Sequence, residues 1–333
     1  MNSIFSGIRP SGKLHLGNYL GAIKNWIALQ DDQQTEHAIY AVVDLHGITT
    51  PYDPATYHVA MMDVILDYLA AGIEPSDKTL LVRQSKLPHA ELAWLFNTLT
   101  PLGALQRMTQ FKEKKERVEV LSAGLLNYPV LQAADIALYK AQVVPVGEDQ
   151  LQHLELSREI IRRFNTLFGN TFPEPESRVS KETARVMALN DPAKKMSKSV
   201  EGSFIALTDS DAEIAKKIKR AVTDVGPQDP DTMSPGVANL FMLLKSFSEA
   251  AVVQKFVENY ENKTLKYAPL KDQLVTDVTR HLAPLREKIL SLESQTQTLQ
   301  TILADGAERA ARVASATMKE VYPKMGLLGP ARS

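Results

Sequence analysis

The residues from Arg9 to Asn18, with the sequence RPSGKLHLGN, combine turn-forming residues with side chains that can donate hydrogen bonds to phosphate. Proline and glycine let the chain turn sharply, and a helical pattern follows. Such a turn aims free backbone N–H groups and the positive end of a helix dipole at one point, which suits a phosphate. His15 and Asn18 share a face of the first helical turn, and Gly17 would let a nucleotide lie against the backbone. The stretch predicts a phosphate site; a helix start with an incidental histidine is the alternative.

The same stretch allows a second phosphate-binding interpretation, because the residues from Gly7 to Lys13 fit the G-x-x-x-x-G-K opening of a P-loop. A P-loop needs Ser or Thr at the next position to hold magnesium, and this chain has Leu14 there. Pro10 also removes one of the N–H donors that the loop uses. A P-loop NTPase is therefore disfavoured.

A basic stretch from Lys194 to Ser199, KKMSKS, follows the turn signal Asp191-Pro192. A solvated basic loop is the ordinary interpretation of such a charge run. Its last five residues, however, are identical to the second signature of class I aminoacyl-tRNA synthetases. His15-Leu16-Gly17-Asn18 resembles their first signature, His-Ile-Gly-His, and each occurs once and in the right order. Asn18 in the last position is the form of tryptophanyl-tRNA synthetases, and the whole chain resembles a bacterial member of that family.

The resemblance implies an activity, substrates and partners. Tryptophan would be activated with ATP, giving tryptophanyl-adenylate and pyrophosphate, and then transferred to the 3′ end of tRNA(Trp). Mg²⁺ is implied as the companion of ATP, and the family is homodimeric. A tyrosyl-tRNA synthetase of the same subclass is the nearest alternative, and a synthetase-like protein that binds RNA without catalysis is a third.

Tyr128, Gln132 and Asp135 fall on one stripe of a helix that we predict from Tyr128 to Tyr139, with Pro129 at its first position. The other positions are small or apolar, so the helix should be buried, and a buried carboxylate needs a partner. The resemblance implies that Asp135 binds the indole nitrogen, a donor without acceptor capacity. A buried aspartate paired with an arginine or a backbone amide is the alternative. The same spacing occurs in tyrosyl-tRNA synthetases, so this helix alone does not separate the two amino acids.

The resemblance assigns the remaining site residues in three groups. Catalysis falls to His15 and Asn18 on the α-phosphate side, to Lys195 and Lys198 on the pyrophosphate side, and to Lys114. ATP contacts fall to Arg9, Pro10, Ser11, Gly17, Asn18, Gly147, Glu148, Asp149, Val186, Lys195, Met196, Ser197, Lys198 and Ser199. Tryptophan contacts fall to Phe5, His46, Tyr128, Gln132, Asp135 and Gln150. Two positions depart from many relatives, which carry Gln in place of Arg9 and Met in place of Gln132.

Composition limits the possible classes of protein. The chain has 333 residues, 44% of them hydrophobic, no cysteine and a formal net charge of −1. Disulfides and thiolate metal sites are excluded, no apolar run reaches the roughly 18 residues of a membrane span, and no signal peptide is visible. We expect a cytoplasmic protein whose RNA contacts use local basic patches, for which the candidates are 107–117, 194–198 and 216–220.

Short apolar runs alternate with helical patterns through the first part of the chain, which predicts an α/β protein with a Rossmann-like parallel sheet and helices on both faces. Asp44 and His46 follow the strand predicted at 38–43, where ligands gather at the carboxyl ends of parallel strands. A helix is expected from Asp53 to Ala71. The charged segment 107–119 is expected to be a mobile insertion that carries Lys114 over ATP, or alternatively a surface helix.

After residue 207 the pattern becomes almost entirely helical. We predict a Rossmann-like catalytic domain over residues 1–207, which binds ATP and the amino acid. A smaller all-helical domain over residues 208–333 would recognise the tRNA anticodon arm, an assignment that rests on the resemblance. Packing of the last helix back onto the catalytic domain is left open.

Overall fold

Five short strands form a parallel sheet in the part of the chain that the computed structural model describes, residues 2–115, 121–179, 186–198, 200, 202–223 and 233–328. The strands are β1 Asn2–Ile8, β2 Thr35–Val42, β3 Thr79–Arg83, β4 Val143–Pro145 and β5 Glu176–Arg178. Their order in the sheet is β3-β2-β1-β4-β5, and each neighbouring pair is parallel. The order reverses between β1 and β4, which opens a crevice at the carboxyl ends of these two strands.

The helices surround this sheet. Their bounds are α1 Leu16–Asn18, α2 Lys24–Gln30, α3 Asp44–Gly47, α4 Tyr57–Ala71, α5 His89–Asn97, α6 Leu102–Gln106, α7 Thr109–Lys115, α8 Ala123–Leu138, α9 Leu151–Phe168, α10 Asp211–Arg220, α11 Pro235–Phe247, α12 Ala250–Glu261, α13 Tyr267–Glu293 and α14 Thr296–Lys324. A π-helical segment, Tyr19–Ile23, joins α1 to α2. Turns of 3₁₀ type, Gln84–Lys86 and Glu148–Gln150, follow β3 and β4.

Side chains alternate between the two faces of the sheet, as the pleat of a strand requires. Ile4 and Tyr40 pack into one core with residues of α4, α11 and α13. Phe5 and Ile39 pack into the other core with residues of α5, α8, α9 and α14. The predicted fold class, a Rossmann-like sheet covered on both faces and followed by helices, is confirmed.

Two helix starts differ from the prediction. Helix α8 begins at Ala123 rather than at Tyr128, because the hydroxyl of Ser122 accepts the backbone N–H of Leu125 at 3.1 Å and caps the helix there. Pro129 therefore lies inside the helix and not at its first position. Helix α4 begins at Tyr57, because the carboxylate of Asp53 accepts the N–H of Ala55 at 3.0 Å in a turn of its own.

The last helix packs against the sheet at its β3 edge. A Cβ atom on Gly306 would overlap the backbone carbonyl oxygen of Leu81, so only glycine lets α14 approach β3 this closely. Farther along α14, the carboxylate of Glu320 pairs with the ammonium of Lys140 at 2.6 Å. The helix covers the open side of an edge strand, which protects it from pairing with another chain. The division of the chain at residue 207 stays a prediction.

The predicted charged insertion falls partly within the described residues, and Thr109–Lys115 forms helix α7 there. Residues 116–120 lie outside the described part, as does most of the proline-rich stretch between α10 and α11. No helix among the described residues is both long and apolar enough to cross a membrane.

Candidate active site

A cavity of about 370 Å³ lies where the strand order reverses, at the carboxyl ends of β1 and β4. Ligands of open α/β sheets bind in this crevice. The lining includes nine of the residues assigned above, namely Phe5, Arg9, His46, Tyr128, Gln132, Asp135, Gly147, Asp149 and Gln150. All six residues predicted to contact tryptophan are among them, although they come from four separate regions of the chain.

Asp135 lines this cavity, is only 1% exposed, and lies at the centre of a cluster of polar side chains. Its Oδ1 atom accepts a hydrogen bond from the amide of Gln84 at 2.7 Å and lies 2.7 Å from Nδ1 of His89. Its Oδ2 atom lies 2.8 Å from Nε2 of His46. The partners of this buried carboxylate are thus imidazoles and an amide, rather than an arginine or a backbone amide.

The cluster keeps Asp135 ionised. Burial alone would raise the pKa of its carboxyl group, but the charge and hydrogen bonds of His46 and His89 outweigh burial and hold this pKa below its ordinary value. His89 is itself oriented by the hydroxyl of Tyr139, which lies 2.8 Å from its Nε2 atom. A fixed anion beside apolar and aromatic lining suits a flat ligand that carries one N–H donor.

Sequence reasoning did not single out Gln84 and His89. A signal was available, because Gln84 follows β3 directly and His89 lies six residues beyond the end of β3, at the start of α5, much as Asp44 and His46 lie just beyond β2. Residues at the carboxyl ends of neighbouring parallel strands converge on one edge of the sheet. Applied to β3 as it was to β2, the same argument predicts both residues.

The first signature forms a reciprocally capped helix start. Nδ1 of His15 accepts the backbone N–H of Asn18 at 3.3 Å, and Oδ1 of Asn18 accepts the backbone N–H of His15 at 3.2 Å. A Cβ atom on Gly17 would lie 2.8 Å from Cε1 of His15, so the imidazole occupies the space that a side chain would need. Because Nδ1 is the acceptor, the ring proton of His15 is assigned to Nε2. Both side chains keep an N–H group for a ligand.

The imidazole of His15 is neutral at neutral pH. Burial lowers its pKa to about 4, and the charges of Lys198 and Lys195 act in the same direction. Both lysines of the second signature therefore lie close enough to His15 to affect its pKa, as the phosphate-site hypothesis requires.

The second signature closes a small antiparallel hairpin. The backbone N–H of Met196 donates to the carbonyl of Val186 at 3.0 Å, and both side chains are 3% exposed. The hydroxyl of Ser203 holds the carbonyl of Ser197 at 2.7 Å. Nζ of Lys198 donates to the carbonyl of Gly12 at 2.8 Å, which joins the two signatures directly.

Two contacts connect the signatures to the cavity. Nζ of Lys195 lies 3.5 Å from Oδ1 of Asp149, a cavity residue. Partial burial opposes ionisation of Asp149, but Gln150 and Lys195 together lower its pKa. Arg9, which also lines the cavity, faces Lys198 closely enough to lower the pKa of its ammonium group.

Several predicted ATP residues lie apart from the cavity. Of the predicted ATP residues that the structure describes, only Arg9, Gly147 and Asp149 line it. The other described ones do not, namely Pro10, Ser11, Gly17, Asn18, Glu148, Val186, Lys195, Met196, Ser197 and Lys198. Val186 uses its backbone in the hairpin, and Glu148 begins the exposed turn after β4. The backbone of Lys114 lies in α7, its side chain lies outside the described part of the structure, and so does Ser199.

Comparison with known proteins identifies the family. Residues 1–283 match the family model described as tRNA synthetases class I (W and Y). The tryptophan–tRNA ligase of Clostridium perfringens is 43% identical over 329 residues, which cover 98% of this chain and 97% of that protein. Tryptophan–tRNA ligase 2 of Streptomyces avermitilis is 42% identical over 337 residues, with the same coverage of 98% and 97%.

Solved structures agree with these relatives. Tryptophanyl-tRNA synthetase from Mycoplasma pneumoniae aligns with a TM-score of 0.87 at 34% identity, covering 98% of each chain. The enzyme from Campylobacter jejuni, complexed with ADP and tryptophan, aligns with a TM-score of 0.83 at 32% identity, covering 98% of this chain and 100% of that one. A tyrosyl-tRNA synthetase from Aeropyrum pernix shares the fold at a TM-score of 0.71 but is only 18% identical, with 90% of this chain and 89% of that one covered. The chain therefore belongs to the tryptophan–tRNA ligases, the tryptophan branch of the class I tRNA synthetases.

Proposed function

We propose that this chain ligates L-tryptophan to tRNA(Trp) in two steps at the cavity and the adjoining signatures. The carboxylate of tryptophan attacks the α-phosphate of ATP in line, which forms tryptophanyl-adenylate and releases pyrophosphate. The terminal ribose hydroxyl of the tRNA then takes the acyl group, and AMP leaves. Family membership supports this reaction, and the observation that carries it is the ionised Asp135 in a cavity with aromatic and apolar walls, next to both signatures.

The cavity supplies the tryptophan site. The indole N–H would donate to the carboxylate of Asp135, which His89 and Gln84 hold in place from behind. Oδ2 lies 2.8 Å from His46, so an indole donor would share or replace that contact. Phe5 is stacked on Tyr139 with ring centroids 5.5 Å apart and would form an apolar wall. Tyr128, Gln132 and Gln150 are proposed as the remaining contacts from the lining.

The two signatures supply the ATP site. His15 and Asn18 would donate to the α-phosphate, and Lys195 and Lys198 would neutralise the departing pyrophosphate. In this structure Lys198 donates to the carbonyl of Gly12 at 2.8 Å, and Nζ of Lys195 lies 3.5 Å from Asp149. An ammonium group has three N–H donors, so each lysine could keep this contact and also donate to phosphate oxygens. The other nucleotide contacts inferred from the family, including Lys114 and Val186, remain part of the proposal.

Catalysis at this site needs no protein nucleophile and no general base. The substrate carboxylate is ionised and already nucleophilic, so the barrier falls mainly through positioning and stabilisation of phosphate charge. A neutral His15 fits this role, because it donates through Nε2 without adding another positive charge beside the lysines.

Mg²⁺ would enter with the nucleotide. No group of three His, Asp or Glu side chains among the described residues is placed to hold a metal ion. Magnesium is commonly bound by substrate phosphates and a few carboxylates while it keeps several waters. We therefore treat the ion as part of the MgATP substrate.

A homodimer and a tRNA partner follow from the family resemblance. A dimer predicts a sedimentation mass of twice the 36.9 kDa of one chain. The helices after residue 207 are proposed to meet the anticodon arm, and the cytoplasm is the location that this reaction implies.

The first experiment is exchange of pyrophosphate into ATP, measured with tryptophan and with tyrosine in parallel and without tRNA. Exchange with tryptophan alone is the expected result. Exchange with tyrosine alone would overturn the assignment of the Asp135 pocket while keeping the reaction. No exchange from folded protein would replace the proposal with a role in binding RNA without catalysis.

A further inference from the structure

Helix α4 clamps both ends of the phosphate turn. The hydroxyl of Tyr68 accepts the backbone N–H of Ile8, the last residue of β1, at 2.9 Å. Oδ2 of the preceding residue, Asp67, accepts the backbone N–H of Leu14 at 3.2 Å. Two consecutive residues of one helix thus fix where the turn begins and where it ends, with residues 9–13 held between them.

The carboxylate of Asp67 is unusual for its position. It is 2% exposed, and its neighbours in the helix, Leu66 and Tyr68, are buried core residues. A buried carboxylate costs folding free energy, whereas an asparagine could accept the same N–H without carrying a charge. The hydrogen bond therefore accounts for an acceptor at this position but not for a charged one.

Lys198 of the second signature docks on the same turn. Its ammonium group donates to the carbonyl of Gly12, while Asp67 holds the N–H of Leu14 two residues farther along. Among the described residues no direct ion pair joins Asp67 to Lys198, yet the charge of each alters the pKa of the other. The anion and the cation thus hold the same short piece of backbone from two directions.

The charged and titratable groups that face Asp67 are Asp63 and Tyr68 on its own helix, Lys13 in the turn and Lys198 in the hairpin. Burial raises the pKa of Asp67 to about 7, with Leu14 N–H opposing and Asp63 adding to the rise. Burial lowers the pKa of Lys198 to about 8, Arg9 lowers it further, and Asp67 opposes this decrease. Both groups therefore titrate close to neutral pH, and each favours the charged form of the other.

We propose that Asp67 is a positioning residue for Lys198, because it fixes the backbone turn on which the lysine docks and places a negative charge near the ammonium group. The proposal rests on the role of Lys198 at the phosphates of ATP proposed above. It predicts that the charge of Asp67 matters for activity in the pH range where both groups are ionised, which a purely structural hydrogen bond would not require.

The test compares Asp67→Asn with wild type in tryptophan-dependent pyrophosphate exchange across pH. Asparagine keeps an acceptor for Leu14 but removes the charge. We expect kcat to fall about tenfold at about pH 8, and the alkaline loss of activity to begin about one pH unit lower than in wild type, because Lys198 loses its proton more easily. Below about pH 6, where Asp67 is mostly protonated, variant and wild type should converge. Asp277→Asn in α13, a residue that is equally buried at 2% exposed but is not among the groups that face Asp67, is the matched control and should leave the profile nearly unchanged.

A double-mutant cycle separates positioning from general structure. In a Lys198→Gln background, Asp67→Asn should cause little further loss, because its effect passes through the lysine. Equal losses in both backgrounds, or an unchanged pH profile in the single variant, would overturn the proposal. If Asp67→Asn fails to fold, pH-dependent labelling of lysine amines in the wild type decides, since an ordinary pKa of 10.5 at Lys198 contradicts the proposal. Absence of exchange in wild type would instead refute the proposed function.

Discussion

At the scale of single residues, His15 serves the fold and the site together. Its Nδ1 atom caps α1, and its Nε2–H group is left to face a ligand. Burial beside Lys195 and Lys198 lowers its pKa to about 4, so protonation would both break the cap and add a charge next to two cations. We expect its NMR titration to have a midpoint near 4 and activity to show no inflection from His15 near 6.5. A midpoint between 6 and 7 would contradict this description of the site.

The role of Asp135 in the amino-acid pocket can be tested by substitution. Asp135→Asn keeps the shape of the side chain but replaces an ionised acceptor with a neutral amide. Loss of one hydrogen bond to a buried charge costs about 2 to 4 kcal/mol, which corresponds to roughly a 30- to 700-fold rise in KM for tryptophan. The KM for ATP should change much less, because the nucleotide is held by other residues. Steady-state exchange kinetics measure both constants.

A matched control is available in α13. Asp277 is also 2% exposed and hydrogen-bonded, to the hydroxyl of Ser248 at 2.6 Å, but it is not part of the cavity lining. Asp277→Asn should affect stability and leave the KM for tryptophan unchanged. Equal effects of the two substitutions on this KM would remove Asp135 from the tryptophan site.

At the scale of elements, the hairpin of the second signature contains two lysines with opposite expectations. Lys198 is half-buried on the carbonyl of Gly12, whereas the side chain of Lys194 is 77% exposed and pairs with Asp191 at the surface. Lys198→Ala should slow adenylate formation about 100-fold or more, since a well-placed charged donor is worth roughly 3 kcal/mol in a transition state. Lys194→Ala should stay within about twofold, because an exposed ion pair contributes little. Single-turnover formation of adenylate tests both, and similar rates for the two variants would contradict the assignment.

Some of the helices and strands could be predicted from the sequence alone, and others could not. Local patterns, such as the apolar run at 38–43 and the helical pattern that ends at Ala71, predicted elements close to their observed positions. The start of α8 was misplaced because proline is favoured at a first helical position and disfavoured inside a helix, so Pro129 indicated a helix start. The helix instead begins six residues earlier, where the hydroxyl of Ser122 caps it, and Pro129 lies in its interior. Asp67 was not predicted as a site residue, because its partner Leu14 lies 53 residues away and only tertiary packing joins them.

At the scale of the whole molecule, the helices beyond residue 207 are packed on the nucleotide-binding sheet. Leu282 of α13 shares a core with Ile4 of β1 and Leu66 of α4. Nε2 of His281 lies 2.9 Å from the hydroxyl of Tyr19, at the start of the π-helical segment that follows the first signature. Glycine at position 306 lets α14 reach the far edge of the same sheet. A change in the position of α13 would therefore also alter the contacts of the residues that follow the first signature.

Burial of the Asp67 carboxylate should lower the free energy of unfolding at neutral and alkaline pH. Its pKa rises from 3.8, the ordinary value expected in the unfolded chain, to about 7 in the folded protein. Between these pH values the folded protein holds a proton that the unfolded chain has lost. The free energy of unfolding therefore falls as pH rises from about 4 to 7, by up to about 4 kcal/mol, and stays low above pH 7.

Asp67→Asn removes this cost, so the variant should be more stable than wild type at about pH 8 and should lose that advantage near pH 4. Urea unfolding at both pH values measures the difference between the variant and wild type. If the carboxylate of Asp67 only stabilised the fold, Asp67→Asn would be less stable than wild type at both pH values. Gain in stability together with loss of exchange activity would show that the protein keeps a costly buried carboxylate for its effect on Lys198, in line with the trade-off between stability and activity at functional sites.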